Sequence, residues 1–189
     1  MATTRMKEQL SSWERAEVAA KLSAHAYKTE KAAVAACKKM GFPWAKLISK
    51  DGAEVLVAKD RNDLWFAFRG TEPSKLNDVM ADLNVIKNAA KAGGRVHSGF
   101  QQEVNDLWMD VLAEIEHNDQ LKVRKDVYMT GHSLGAAMAT ISATRYTPHE
   151  LYTFGSPRVG GKRFIRHIKC PHYRFMNLSL IHISEPTRL

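Results

Sequence analysis

Cysteine is almost absent from this 189-residue chain. Cys37 and Cys170 stand alone, in no C-x-x-C pair, which excludes a disulfide-stapled scaffold and leaves two isolated thiols. Long apolar runs are absent as well. No stretch approaches the ~20 residues that span a bilayer, and the opening MATTRMKEQLSSWERAE has no apolar segment of signal-peptide length. Neither a membrane span nor export by that route is expected, and a cytoplasmic setting is the default. Acidic residues are in deficit, 20 against 28 Lys+Arg, leaving a net +8. Such an excess suits an anionic partner, whether nucleic acid, a phospholipid surface or fatty-acid products. No basic run is interleaved with aromatics and no nucleic-acid-binding motif occurs, so nucleic acid is not expected and the surplus reads as a solvated basic face. His167, Cys170 and His172 form H-x-x-C-x-H without a fourth ligand, so neither a metal site nor a cofactor is expected. One further absence matters more: no aspartate follows Ser133.

The chain is long enough for one domain with a single large core. Trp13, Ala16, Ala20 and Ala24 recur at helical spacing, and Ser11 or Ser12 can cap the start, which predicts one helix from about Ser12 to Met40, ended by Gly41 and Pro43. Glu54 to Ala58 and Asp63 to Phe68, parted by a polar turn, predict two adjacent strands. Thr71 to Gly94 has weak periodicity between Pro73 and Gly93-Gly94 and suits a flap or short helix. Phe100, Val104, Leu107, Trp108, Val111 and Ile115 lay down the apolar stripe of an amphipathic helix. Strands are expected at Val127 to Thr130, Leu151 to Phe154 and Tyr173 to Met176, with helices from Leu134 to about Arg145 and from Lys162 to Ile168. Strands alternating with helices predict an α/β fold whose mostly parallel sheet is flanked by helices.

Gly131-His132-Ser133-Leu134-Gly135 satisfies G-x-S-x-G between an expected strand and a small-residue helix. That context carries the chemistry. A sharp strand-to-helix turn presents the Ser133 hydroxyl above the sheet, and the helix N-terminus aims its amides at the same point, so the Leu134 N–H can hold a developing oxyanion. Gly131 and Gly135 are needed where flanking residues come into close contact. His132 is rejected as the base because neighbours on such a turn point apart. It is read as a shaping residue, as are His97, Asp78 and Asp82, while His25 and His117 carry no signal.

Phe68-Arg69-Gly70-Thr71, Ala81-Asp82-Leu83, Val96-His97-Ser98-Gly99-Phe100, Gly131 to Gly135 and Thr153 to Gly160 (TFGSPRVG) occur in that order. From about Leu64 to Asn177 the chain thereby resembles the class 3 lipases, the fungal-lipase-like branch of the α/β hydrolases. The resemblance implies a lipase or esterase that uses no metal and acts on lipid or ester substrates, at a lipid surface or on soluble esters. It implies Ser133 as nucleophile, Leu134 and Thr71 as the oxyanion residues, and a lid from Glu72 to about Ile86. Val79 stands where the family pattern has a tryptophan.

On this fold the triad follows the chain order Ser, then Asp or Glu, then His. After Ser133 the only carboxylates are Glu150, before its strand and at the wrong edge of the sheet, and Glu185. The family pattern would continue past Asn177 into a loop bearing the aspartate. Instead the chain reads LSLIHISEPTRL, which resembles the translation of a transposase adapter used for short-read sequencing libraries. The expectation is therefore a single domain over 1–177, incomplete at its C-terminal end, with 178–189 as a non-native tail. His182 and Glu185 are then accidental, and neither triad Asp nor triad His is assigned. Two functions are carried forward: a serine carboxyl-ester hydrolase with an acyl-enzyme at Ser133, or a catalytically incomplete fragment, at most a lipid-binding remnant.

Overall fold

The computed structural model describes residues 10–70, 87–90, 93–120 and 126–176. Six strands form the main sheet in the order β1 (Trp44–Lys50), β2 (Ala53–Lys59), β3 (Asp63–Phe68), β6 (Asp126–His132), β7 (Glu150–Phe154), β8 (His172–Phe175). The pairings β3–β6, β6–β7 and β7–β8 are parallel, whereas β1, β2 and β3 form an antiparallel meander. A separate two-stranded ribbon joins β4 (Lys87–Ala89) to β5 (Arg95–His97).

Strand parity divides the core into two layers. Along β3, Leu64, Phe66 and Phe68 turn to one face and Trp65 and Ala67 to the other, all buried. Such unbroken apolar runs are what a sheet covered on both faces requires. The first face packs on α3 (Ser98–Gln120), through Val104, Leu107, Val111 and Ile115, and on the wholly buried α4 (Leu134–Ala143). The second packs on α1 (Ser12–His25) and α2 (Glu30–Lys39), where Trp65 stacks on Tyr128 with centroids 4.4 Å apart.

The single helix expected from Ser12 to Met40 is two helices. Ser11 caps α1 in a reciprocal box with Glu14, and the chain turns at Ala26 before restarting after Thr29. One straight rod cannot cover this width of sheet: α1 lies under β6, and α2 must swing across to β1. Trp44–Lys50, which carries no strand signal in the periodicity, forms the edge strand β1; Trp44 and Ile48 face one layer while Ala45 and Leu47 face the other. The expected helix from Lys162 to Ile168 shortens to α5 (Lys162–Ile165).

Candidate active site

β6 delivers the chain to Ser133 at the sheet's C-terminal edge, and α4 begins at the next residue; Ser133 is buried, 4% exposed, rather than standing exposed above the sheet as expected from the motif. Ser133 has φ 54° and ψ −120°, a conformation that a side chain disfavours and that glycine adopts freely at the first central position of a II′ turn. Neighbouring backbones hold it there. Its N–H donates to the Phe154 carbonyl at 2.9 Å, and its carbonyl accepts from the N–H of Ala136 at 3.1 Å and of Ala137 at 3.3 Å. These bonds fasten the turn to the end of β7 and to the first turn of α4, whose positive dipole end sits at the serine.

The flanking glycines are a steric requirement. A Cβ on Gly135 would fall 2.1 Å from the Phe68 carbonyl oxygen, and one on Gly131 would fall 2.3 Å from the carbonyl of Gly135. Gly70 joins the same cluster, since a Cβ there would lie 2.6 Å from the His132 carbonyl oxygen and 3.0 Å from the Gly135 nitrogen. The Phe68-Arg69-Gly70 run is thus packed directly against the serine turn. Thr71, the next residue, lies outside the described residues, as do Asp78, Val79, Asp82, His182 and Glu185.

His132 is turned away from the Ser133 side of the bend. Its Nδ1 lies 3.1 Å from the Tyr27 hydroxyl, the two rings meet edge-on at 6.0 Å, and burial holds the imidazole pKa below its ordinary value. Tyr27 carries no sequence signal that would have exposed this role. It belongs to a set of contacts that anchor α1 beneath the nucleophile strand: buried Ser23 meets Thr130 at 3.0 Å, and Arg15 grips Glu150 through Nε at 2.7 Å and Nη2 at 3.0 Å. Glu150 also accepts from the Tyr152 hydroxyl. It sits at the amino end of β7, while Phe154, the partner of Ser133, ends that strand about 13 Å away.

Of the other described histidines, His149, His172 and His97 are engaged elsewhere. His149 faces Asp126 at 3.6 Å beyond the amino end of β7, and His172 Nε2 lies 2.8 Å from Thr153 Oγ1. His97 stacks on Phe100 with centroids 4.3 Å apart, its ring nitrogens enclosed. Among the described residues no cluster of three His, Cys, Asp or Glu side chains could hold a metal, and no helix is long and apolar enough to cross a membrane. Beside the serine turn, Gly52, Glu54, Arg69, Gly70, Glu103 and Leu134 line a cavity of about 290 Å³. Arg69 pairs there with Glu54, and burial next to Asp106 pushes the Glu103 carboxyl up to about 7. Neither Glu54 nor Glu103 belongs to a motif, so neither was readable in advance.

A serine on a glycine-walled turn, at the C-terminal edge of a mostly parallel sheet and the N-terminus of a buried helix, is the strand–turn–helix arrangement of G-x-S-x-G in the α/β-hydrolase fold. The profile of the family described as Lipase (class 3) matches residues 65–179, and the chain belongs to that family. It is 28% identical over 136 residues to a lipase from Rhizomucor miehei, a match covering 66% of this chain and 37% of that protein. To a secreted mono- and diacylglycerol lipase from Fusarium solani it is 35% identical over 124 residues, covering 61% of this chain and 37% of that one. The chain thus spans little more than a third of these relatives' length. Among solved structures, lipase II from Rhizopus niveus superposes with TM-score 0.70 at 22% identity, over 85% of this chain and 69% of that chain. A triacylglycerol lipase described as having a serine protease triad as its catalytic centre superposes with TM-score 0.69 at 23% identity, over 88% and 72%.

Proposed function

We propose that the site is built for carboxyl-ester hydrolysis on lipid or ester substrates, with Ser133 as the nucleophile. The observation that carries this reading is the Ser133 backbone at φ 54°, ψ −120°, held between two glycines that admit no side chain. Such strain persists only where the surroundings over-determine it, and here it lifts the hydroxyl to the α4 N-terminus. In acylation, Oγ bonds to the ester carbonyl carbon, the proton passes to a base, and the alcohol leaves; water then releases the acid. The Leu134 N–H holds the oxyanion. Thr71 supplies the second donor, a role supported by Gly70 lying against Gly135.

No described residue supplies the base. His132 is committed to Tyr27 and Glu150 to Arg15, observations that favour the second reading: a catalytically incomplete fragment, at most a lipid-binding remnant. Treatment with a fluorophosphonate, followed by intact mass and peptide mapping, tests the first reading. A single adduct on Ser133, absent in Ser133→Ala, is the outcome of the first reading; no adduct at saturating probe overturns it in favour of the second, and labelling elsewhere overturns Ser133 as the nucleophile.

A further inference from the structure

A second cavity, of about 590 Å³, lies beyond β7 between α5 and β8, and none of Gly131 to Gly135 lines it. Four cations stand around it: Arg158 from the loop after β7, Lys162 and Arg166 one helical turn apart on α5 and its C-cap, and Arg174 from β8. No carboxylate is among the lining residues. Among the described residues, Arg158, Lys162 and Arg166 make no ion pair, and Arg174 donates only to the Ser156 carbonyl, at 2.8 Å. His172, also in the wall, is bound to Thr153, and burial followed by Arg174 lowers its imidazole pKa. Among the described residues positive charge is thus collected here without a counter-charge, and it accounts for part of the +8 surplus.

Besides the hydroxyl residues Thr140 and Ser156, the remaining wall is aliphatic. Pro157 and Val159 are buried behind the rim, and Ile165, 46% exposed, sits between Lys162 and Arg166. No Phe, Tyr or Trp lines the cavity and the His172 ring is tied to Thr153, so it offers no aromatic platform of the kind that holds nucleobases, and an inorganic anion would leave the apolar wall uncovered. A cationic rim over an aliphatic wall matches a molecule with one anionic head and one alkyl chain. We propose that this cavity binds a single-chain carboxylate, its head held at the rim by Arg158, Lys162, Arg166 and Arg174 and its chain laid on Pro157, Val159 and Ile165. The proposal does not rest on Ser133 being reactive. If the ester-hydrolase reading holds as well, the ligand has the chemistry of the acid product.

Calorimetric titration of the chain at low salt, with acetate, octanoate, decanoate and dodecanoate below their micelle concentrations, tests it. Affinity should rise with chain length, by up to about fourfold per added methylene while the chain still finds wall to cover. Arg158→Gln/Arg166→Gln should weaken dodecanoate about tenfold, the loss of roughly two exposed charge pairs. Ile165→Ser should weaken dodecanoate and leave acetate unchanged. All three positions are exposed, and unaltered circular dichroism and Tm would show the variants folded; Lys162→Gln serves as a second charge variant. Equal affinity for acetate, inorganic phosphate and dodecanoate would reduce the rim to a surface that attracts any anion and overturn the proposal. Dodecanoate binding undiminished in both charge variants would overturn it too.

Discussion

Gly131 meets Gly135 so closely that it has no room for a side chain: a Cβ on the first would lie 2.3 Å from both the carbonyl carbon and the oxygen of the second. The obstacles are backbone atoms, at Gly135 also the Phe68 carbonyl, and backbone cannot rotate aside. Gly131→Ala or Gly135→Ala must therefore move β3, β6 or α4, with a loss of at least about 3 kcal/mol. Urea denaturation measures it. An alanine variant within about 0.5 kcal/mol of the parent would mean that the elbow is looser than described here.

Ser133 itself is the strained residue, so its replacement by glycine should act oppositely. Relief of the positive-φ conformation is worth roughly 1–3 kcal/mol, and the extra freedom of glycine in the unfolded chain takes back about 0.5–1. Ser133→Gly is expected to gain on the order of 1 kcal/mol, a Tm rise of ~2–4 °C, while Ser133→Ala keeps the strain and gains nothing. Equal Tm values for the two variants would argue against strain at this residue.

The elbow was legible because G-x-S-x-G has one mechanical context, a strand running into a helix, and both flanks advertise themselves through apolar and small residues. Helix α3 was legible through its stripe from Phe100 to Ile115. What escaped was set by distant partners. The break at Ala26 to Thr29 answers the width of the sheet rather than any local breaker, since neither Gly nor Pro lies between Ser12 and Met40. Strand β1 is an edge whose residues are all partly exposed and whose lysines blur the alternation. Tyr27 gains its role only when α1 packs under His132, 105 positions away.

The tether between Arg15 and Glu150 joins α1 to β7 with both side chains nearly enclosed, 11% and 7% exposed. Removing one partner leaves the other charge buried and unpaired, so Glu150→Gln should lose about 3–5 kcal/mol. The pair as a unit is worth far less, and Arg15→Met/Glu150→Leu should recover most of the loss. A double-mutant cycle that shows simple additivity would contradict the coupling.

Asp63 opens β3 with its carboxyl pushed up to about 6, by burial first and then by Asp60 and Asp126. An acid whose native pKa exceeds its unfolded value of about 3.9 holds more protons in the native state across that interval. Stability should consequently fall as pH rises from about 4 to 6 on account of this group. Asp63→Asn removes the penalty. Because Asp63 is only half-buried, solvent screening limits the gain to about 1 kcal/mol, or ~2–4 °C in Tm at pH 8, with none at pH 4. An equal shift at both pH values would place the effect in packing instead of charge.

Turnover is the sharpest discriminator between the two functional readings. Loss of a triad base removes on the order of a millionfold in turnover, while an oxyanion hole alone retains about a thousandfold over water. With His132 held by Tyr27, His149 by Asp126 and His172 by Thr153, no described histidine after Ser133 other than His167 is without a side-chain partner, and His167 lies against Gly93 at 3.1 Å from the position of a Cβ there. The chain is expected to hydrolyse p-nitrophenyl esters only at that residual level, and His132→Ala should leave the rate within about twofold, since a packing residue takes no proton. His182→Ala is expected to change nothing either. Robust turnover abolished by both Ser133→Ala and His182→Ala would make the C-terminal segment a catalytic one, and the reading of residues 178–189 as a non-native tail would have to be abandoned.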